Sequence, residues 1–197
     1  NEKPHEFRTI VAVASGIGIT PILSHLKHIL NTEPRTRLFL FYGNKSREET
    51  AFKKELDLLS AGNKERFDIH YFYSKEKVGN PFLEGRLDGK KMTLIINQIM
   101  MLDPTDEEST LWDAVDEVLI CGKGEMIKSI ANTCYEHGIR KQNIHFELFE
   151  AYNEDIYPME KEFPLVEDIN VEFITQNISY KTILKNNKEK LLPQLLE

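Results

Sequence analysis

The most regular hydrophobic pattern of the chain lies between residues 7 and 30. It opens with the apolar, β-branched run 10–13, which is typical of a strand that is buried on both faces of a sheet. Apolar residues then recur at the spacing of a helix with one buried face, at Ile22, Leu23, Leu26, Ile29 and Leu30. This stretch therefore predicts a buried strand followed directly by an amphipathic helix.

Strand-like patterns return at regular intervals along the chain. Four further strands are predicted, at residues 37–43, 67–73, 117–121 and 144–149. Because helix-like patterns separate them and the connections are short, the chain is predicted to fold as an α/β protein with a doubly wound, five-stranded parallel sheet. Ligands bind such sheets at the carboxyl ends of the strands. The turns after Ser15, Gly43, Tyr73 and Cys121 all belong to that edge.

Three more helices are predicted between the strands. The first follows Ser46 as its cap and places Phe52, Leu56 and Leu59 on its buried side. Residues 92–101 fit a buried helix or a strand, and their length favours the helix. The last helix covers residues 125–137 and ends at Gly138, since glycine is common just after a helix.

The turn between the first strand and the first helix contains Gly16 and Gly18. Thr20 is predicted as the helix N-cap and Pro21 as the first helical residue. Glycines and a helix start together form a site for a pyrophosphate, because free amide groups and the helix dipole converge there. The sequence is not the G-x-G-x-x-G fingerprint, since Pro21 replaces the third glycine, and it lacks the Gly-Lys-Ser/Thr of a P-loop. By itself it fits an ordinary strand-to-helix turn equally well.

Composition narrows the class of protein. Of 197 residues, 41% are hydrophobic and 29% charged, which is typical of a globular domain, and the net charge of −7 argues against nucleic acid as the main partner. No apolar run approaches the roughly 20 residues of a membrane-spanning helix, and no signal peptide is visible. The two cysteines are too few for a disulfide framework. We therefore expect a cytoplasmic protein without a metal site, since His25 and His28 lack a third ligand.

The domain organisation follows from the change in pattern after residue 150. Residues 1–150 form the predicted nucleotide-binding domain, and residues 151–166, rich in acids and prolines, form a linker. Residues 167–197 are predicted to form a hairpin around Gln176-Asn177 and the first turns of a helix, which is too little chain for a core. The first residue is not Met and the last residues look helical, so a fragment of a longer protein is expected.

Six short motifs occur in one order along residues 7–150. They are A-S-G-I-G-I-T-P at 14–21, Y-G-N-K-S at 42–46, S-K-E at 74–76, G-R-L at 85–87, C-G-K-G-E-M at 121–126, and E-x-F at 147–149. In this order they resemble the pyridine-nucleotide domain of the ferredoxin–NADP reductase superfamily. Within this superfamily the chain resembles the iron–sulfur flavoreductases of bacterial aromatic-degradation pathways, such as that of phenylacetate degradation. The chain departs from the family pattern at Ser15, Ile17, Lys45, Lys75 and Lys123.

The resemblance implies a function and a set of site residues. The chain would accept NAD(P)H as hydride donor, with Cys121 beside the nicotinamide C4 and Glu147 near the hydride-transfer centre. Without the resemblance, Cys121 is read as a small buried residue at a strand end. Contact with the nucleotide is implied for Gly16, Gly18, Thr20, Pro21, Asn44, Lys45, Ser46, Arg47, Ser74, Lys75, Arg86, Cys121, Gly122, Met126 and Phe149.

The nucleotide is expected to be NADPH rather than NADH. Cationic neighbours accommodate a 2′-phosphate, whereas a carboxylate usually holds the ribose diol of NADH. Lys45, Ser46 and Arg47 follow the second strand, and Ser74 and Lys75 follow the third. Lysine binds phosphate as a point charge, so lysine in place of the family's arginine loosens this selectivity. A solvated surface is the alternative for these charges.

The resemblance also implies cofactors and partners that this chain does not hold. A flavin-binding domain with FAD is expected before residue 1. The tail resembles the start of a [2Fe–2S] ferredoxin domain, and an oxygenase component would accept the electrons. The alternative is a nucleotide-binding or regulatory flavodoxin-like module without a redox role. Paired acids after the first strand would favour a receiver-type domain, and they are absent from this sequence.

Overall fold

The computed structural model describes residues 8–99, 111–157, 169–175 and 178–184. Strands and helices alternate throughout its first compact unit, which ends at Tyr157. In chain order the elements of this unit are β1 (Thr9–Ser15), α1 (Ile19–Thr32), β2 (Arg37–Asn44), α2 (Lys53–Gly62), β3 (Phe67–Tyr73), α3 (Gly89–Ile99), α4 (Leu111–Ala114), β4 (Val115–Gly122), α5 (Gly124–Glu136) and β5 (Ile144–Leu148). Residues 92–99 are helical, which confirms that part of the predicted helix.

The five strands of this unit form one parallel sheet in the order β3-β2-β1-β4-β5. The predicted doubly wound parallel sheet is therefore confirmed. The chain runs outward from β1 through β2 to β3 and then returns to the other side of β1 with β4. Strand order reverses between β1 and β4, and ligands bind at such a switch point outside the carboxyl ends of the strands.

The central strand β1 is buried on both faces, as its apolar run predicts. Ile10, Ala12 and Ala14 pack against α1 and α2 on one side of the sheet. Val11 and Val13 pack against α3 and α5 on the other. The two faces thus belong to separate hydrophobic clusters, with the sheet as the middle layer.

The start of α1 differs from the prediction. A 3₁₀ turn of Gly16–Gly18 precedes the helix, Gly18 stands at the N-cap, and the helix begins at Ile19. Thr20 therefore lies inside the first turn, where its hydroxyl donates a hydrogen bond to the carbonyl of Ile17 at 3.0 Å. Pro21 is still tolerated, because a proline in the first helical turn removes an amide that has no partner there anyway.

The start of α2 is also later than predicted. The Ser46 hydroxyl accepts a bond from the Glu49 amide at 3.3 Å, so Ser46 caps a separate turn rather than α2. The helix begins at Lys53, with Phe52 at its N-cap. Leu56 is fully buried as predicted, whereas Phe52 is 44% exposed, so its assignment to the buried side was wrong.

The end of α5 follows the prediction closely. Gly138 has φ 91° and donates to the carbonyl of Tyr135, and Ile139 donates to that of Cys134. This pair of bonds is the Schellman motif, which uses glycine because the left-handed conformation is costly for other residues.

The first unit is longer than the predicted 1–150. The Tyr152 ring covers Gly124 at the start of α5, and the Asn132 amide donates to the carbonyl of Ile156 at 2.6 Å. Ile156 is buried in the core, so residues 152–157 of the predicted linker pack on α5. Residues 158–166 of that linker lie outside the described part of the chain.

The second unit contains an antiparallel pair, β6 (Ile169–Thr175) and β7 (Ile178–Leu184). This pairing matches the predicted hairpin, while Gln176, Asn177 and the predicted terminal helix lie outside the described residues. No helix in the described ranges has the length and apolar character needed to cross a membrane.

Candidate functional site

The turn after β1 is built against the end of β4. Gly16 has φ 53°, a conformation that glycine adopts without strain. Gly18 is buried, and a Cβ placed on it would lie 2.3 Å from the carbonyl oxygen of Cys121. Only glycine therefore allows this close approach of the two backbones, and the turn is held over the switch point of the sheet.

Tyr42 fixes the other side of this turn. Its hydroxyl donates to the carbonyl of Gly16 at 2.9 Å and lies 3.4 Å from that of Ala51. Burial raises the pKa of Tyr42 to about 12, so the phenol stays protonated as a donor. The sequence alone did not single out Tyr42 as a positioning residue. The signal that could have found it is its place directly before the Gly43-Asn44 turn.

Asn44 carries a buried donor that forms no hydrogen bond within the described part of the chain, although its side chain lies near the Tyr42 hydroxyl. Its Nδ2 atom is one of two buried side-chain polar atoms without a hydrogen bond in the described part of the chain, the other being the Tyr157 hydroxyl. Buried donors are nearly always satisfied, and leaving one unpaired is costly. Asn44 ends β2 at the binding edge of the sheet, so this donor fits an acceptor oxygen of a phosphate or a ribose.

The loops after β2 and β3 run side by side. Ser74 donates to the carbonyl of Asn44, and Lys75 donates to that of Lys45, both at 2.9 Å. The structure thus brings together the two groups of residues that were assigned to the 2′ position from the sequence, namely Lys45, Ser46, Arg47, Ser74 and Lys75.

Two of these cations are already paired with carboxylates. Lys45 Nζ lies 3.2 Å from Glu49, and Arg47 Nε lies 3.3 Å from Glu76. Glu76 also accepts a bond from the Arg47 amide at 2.7 Å, which ties the two loops together. The positive charge predicted for this rim is therefore largely compensated at Lys45 and Arg47.

Lys75 and Arg86 differ from Lys45 and Arg47. Both are exposed, and neither makes a salt bridge with any residue that the structure describes. Gly85 donates to the carbonyl of Tyr73 at 2.9 Å, which places the G-R-L segment at the end of β3. The Leu87 side chain reaches Gly43 at the end of β2. Arg86 therefore sits at the same edge as Lys75.

Cys121 lies near the end of β4, next to Glu147 on β5. It is 1% exposed, and burial raises the pKa of its thiol to about 11, with a further contribution from the Glu147 charge. The thiol is therefore neutral at physiological pH. Cys121 and the exposed Glu147 line a cleft together with Pro21, His25 and His145.

The start of α5 packs closely against the turn that follows Cys121. A Cβ on Gly122 would lie 2.3 Å from the Ser15 hydroxyl and 2.8 Å from the Met126 methyl. Met126 is thus a buried core residue that touches the turn, not an open part of the rim. Phe149, just beyond β5, is exposed.

The predicted site residues therefore form two groups. Asn44, Lys45, Arg47, Lys75 and Arg86 surround the ends of β2 and β3, whereas Cys121, Gly122, Glu147 and Phe149 surround those of β4 and β5. The Gly16–Gly18 turn lies between the groups. Within the described ranges, no group of three His, Cys, Asp or Glu side chains could hold a metal ion.

Comparisons with known proteins agree with this geometry. A model of the family described as "Oxidoreductase NAD-binding domain" matches residues 12–132. The chain is 32% identical over 130 residues to NADH-cytochrome b5 reductase 2 of Candida glabrata, covering 66% of this chain and 40% of that protein. It is 28% identical over 139 residues to a component of the 1,2-phenylacetyl-CoA epoxidase of Escherichia coli, covering 71% of this chain and 36% of that one.

Solved structures show the same fold. The CS-b5R domains of human Ncb5or, in the NAD⁺ form, match with a TM-score of 0.57 and 19% identity, over 71% of this chain and 36% of theirs. The chain spans about two fifths of the length of the two curated relatives. Because the family model covers more than half of the chain, including the glycine turns after β1 and β4, this chain belongs to the oxidoreductase NAD-binding domain family of the ferredoxin–NADP reductase superfamily.

Proposed function

We propose that this chain binds NAD(P)H as the pyridine-nucleotide module of a flavin-dependent electron-transfer reductase. The observation that carries the proposal is the Gly16–Gly18 turn, which rests on the backbone of Cys121 at the switch point of the sheet. A dinucleotide held there spans both groups of site residues. The unpaired Asn44 Nδ2 is a donor that such a ligand would satisfy.

Each group of residues then has a separate task. Gly16, Gly18, Thr20 and Pro21 surround the pyrophosphate, close to the Asn44 amide. The nicotinamide would lie by Cys121 and Glu147, with Gly122 and Phe149 around it and the buried Met126 behind Gly122. The nicotinamide brings the hydride chemistry, and the protein supplies position and electrostatics. Because the Cys121 thiol is neutral, it contributes a weak donor and a polarisable contact rather than a nucleophile.

For the nucleotide we propose NADPH, with the 2′-phosphate among Lys45, Ser46, Arg47, Ser74 and Lys75. Lys75 and the nearby Arg86 support this, since they lack salt-bridge partners within the described residues. NADH is the second candidate, and it is favoured by the pairing of Arg47 with Glu76. A carboxylate at this position can accept hydrogen bonds from a ribose diol.

Titration calorimetry with NADP⁺, NAD⁺ and 2′-AMP tests the binding proposal. We expect micromolar-to-millimolar affinity, and no heat with any of the three ligands would refute it. Lys75→Met should weaken 2′-AMP and NADP⁺ and leave NAD⁺ unchanged, whereas equal loss for NAD⁺ would contradict the 2′-phosphate assignment. Glu76→Gln frees Arg47 and should strengthen 2′-AMP binding.

The wider reductase is part of the same proposal. A flavin domain with FAD would take the hydride, and electrons would pass through a [2Fe–2S] domain to an oxygenase component. The nucleotide domain would reach Tyr157, and the residues after it would contain the linker and the start of the ferredoxin-like domain. The cluster cannot be held by this chain alone, because it contains two cysteines and both are buried.

A nucleotide-binding module without a redox role is the alternative function. The two are separated by saturation-transfer NMR with NADP⁺. A reductase module should show contact with the nicotinamide protons, and Glu147→Ala should weaken that contact. If only the adenosine protons respond, and ADP binds as tightly as NADP⁺, the alternative is correct. The chain alone should show no diaphorase activity, since it lacks the flavin.

A further inference from the structure

Phe52 has an unusual backbone for its residue type. It is the only non-glycine residue with positive φ in the part of the chain that the structure describes, at 56°. Bulky residues rarely adopt this conformation, and strain of this kind concentrates at binding sites. The Phe52 side chain is also 44% exposed, although its position in the helical pattern predicts burial.

The residue before Phe52 is linked to the Gly16–Gly18 turn by a shared hydrogen-bond donor. The Tyr42 hydroxyl contacts the carbonyls of both Gly16 and Ala51, so the residue before Phe52 shares a donor with the turn. The Phe52 carbonyl accepts from the Leu56 amide at 2.9 Å, which fixes it at the first turn of α2. Phe52 therefore follows directly after a residue that is linked to the Gly16–Gly18 turn through the Tyr42 hydroxyl.

A second exposed apolar residue lies on the turn itself. Ile17, next to Gly16, is 65% exposed. The other large apolar side chains that are exposed within the described residues lie on α2, α3 and α5 or on and after β5. Ile17 and Phe52 are thus the apolar surface at this end of β1 and β2, on either side of the Tyr42 hydroxyl, among otherwise polar and charged loops.

We propose that Phe52 stacks on the adenine ring of the bound dinucleotide, with Ile17 as a second apolar contact. This inference rests on the proposed function above. A purine is a flat ring with apolar faces, and it gains affinity by stacking on an aromatic side chain. It is attached to the same ribose whose neighbours are the loops after β2 and β3. A left-handed N-cap alone would favour glycine or asparagine, so the phenylalanine ring needs a separate reason.

The test compares ADP, which carries adenine and two phosphates, with inorganic pyrophosphate, which carries only the phosphates. Calorimetry is performed on the full chain and on Phe52→Gly, Phe52→Leu and Phe52→Trp. Phe52→Gly removes the ring and relieves the backbone, so folding should not suffer. It should lose about fivefold or more in ADP affinity, with pyrophosphate unchanged within about twofold. Phe52→Leu should also weaken ADP binding, whereas Phe52→Trp should keep it.

Leu58→Ala is the matched control, since Leu58 is an exposed apolar residue on the same helix. It should leave both affinities unchanged. If Phe52→Gly binds ADP as the unmodified chain does, or loses ADP and pyrophosphate equally, the stacking role is refuted while dinucleotide binding stands. If the unmodified chain binds neither ADP nor NAD⁺ nor NADP⁺, the proposed function itself fails.

Discussion

The two edges of the same parallel sheet are built in opposite ways. At the amino edge, Arg8 donates to Glu33 twice at 2.8 Å and to Glu117 at 2.9 Å. Arg66 donates to the carbonyls of Leu30 and Glu33, which end α1. Both arginines thus bind groups from other elements, so this part of the edge is closed.

The carboxyl edge is open by comparison. It contains the Gly16–Gly18 turn, the unpartnered Asn44 Nδ2 and the cleft beside Cys121. Loops after four strands meet here, because all strands of a parallel sheet end at the same side. The amino edge therefore contributes stability, whereas the carboxyl edge leaves polar groups open, as the proposed ligand site requires.

The largest effect is expected from Gly18→Ala. The added Cβ meets the backbone of β4 at 2.3 Å, and a backbone carbonyl cannot move aside. We expect a loss of about 3 kcal/mol in the free energy of unfolding and a loss of about tenfold or more in NADP⁺ affinity. Urea unfolding and calorimetry measure the two.

Gly62→Ala is the control for this change, because a Cβ there meets nothing within 4 Å. It lies at the end of α2, so it should be neutral or stabilising by up to about 1 kcal/mol. A Gly18→Ala variant that behaves like Gly62→Ala would show that the turn does not depend on its contact with β4.

Arg8→Met tests whether the amino edge affects stability without affecting nucleotide binding. It removes three hydrogen bonds and leaves Glu33 and Glu117 without their shared cation. We expect a loss of about 1–3 kcal/mol in unfolding free energy with unchanged nucleotide affinity. Lys27→Met, which breaks an exposed pair with Glu55, should cost about 1 kcal/mol or less. Weaker nucleotide binding by a folded Arg8→Met protein would contradict the division between the edges.

The pH dependence of Cys121 alkylation tests whether the thiol at the carboxyl edge of the sheet is neutral. In a Cys134→Ser protein, alkylation of Cys121 should be slow at neutral pH and rise about tenfold per pH unit toward the thiol pKa of about 11. NADP⁺ should slow the reaction. Fast alkylation at neutral pH would mean a reactive thiolate and would contradict the neutral thiol.

The same raised pKa affects stability. The unfolded thiol has a pKa of about 8.5, so folding favours the protonated form. The contribution is therefore complete below that pH and is lost as the pH rises toward about 11. A Cys121→Ala protein should lack this part of the alkaline loss of stability.

Asn44→Ala should have the smallest effect on folding. The Nδ2 atom makes no hydrogen bond with any residue that the structure describes, so its loss should change the unfolding free energy by about 1 kcal/mol or less. Nucleotide affinity should nevertheless fall about fivefold, since one ligand contact is removed. Equal affinity for the variant and the unmodified chain would show that this amide does not face the ligand.

Much of the fold was predictable because its signals are local. Such signals depend only on residues that are close in the sequence. Examples are the β-branched run of β1, the helical spacing of α1 and Gly138 after α5. The start of α2 was not predictable, because Ser46 caps a different turn and Phe52 is held in a left-handed conformation. Likewise, Thr20 was predicted as the N-cap of α1, but a 3₁₀ turn precedes the helix and Gly18 occupies the N-cap position.

Periodicity and turn residues were enough to predict the parallel α/β sheet, the glycine turn and the edge of the sheet where we propose that a ligand binds. Which groups at that edge are available depends on contacts that form only on folding. Arg47 binds Glu76, which lies 29 residues away in the sequence. Gly18, in the turn after β1, lies against the backbone of Cys121 near the end of the neighbouring strand β4. Periodicity reports the average environment of a segment, whereas pairing and close contact depend on segments that are distant in sequence and are brought together by folding. The compensated Arg47, the unpaired Asn44 and the exposed Phe52 are consequences of that assembly.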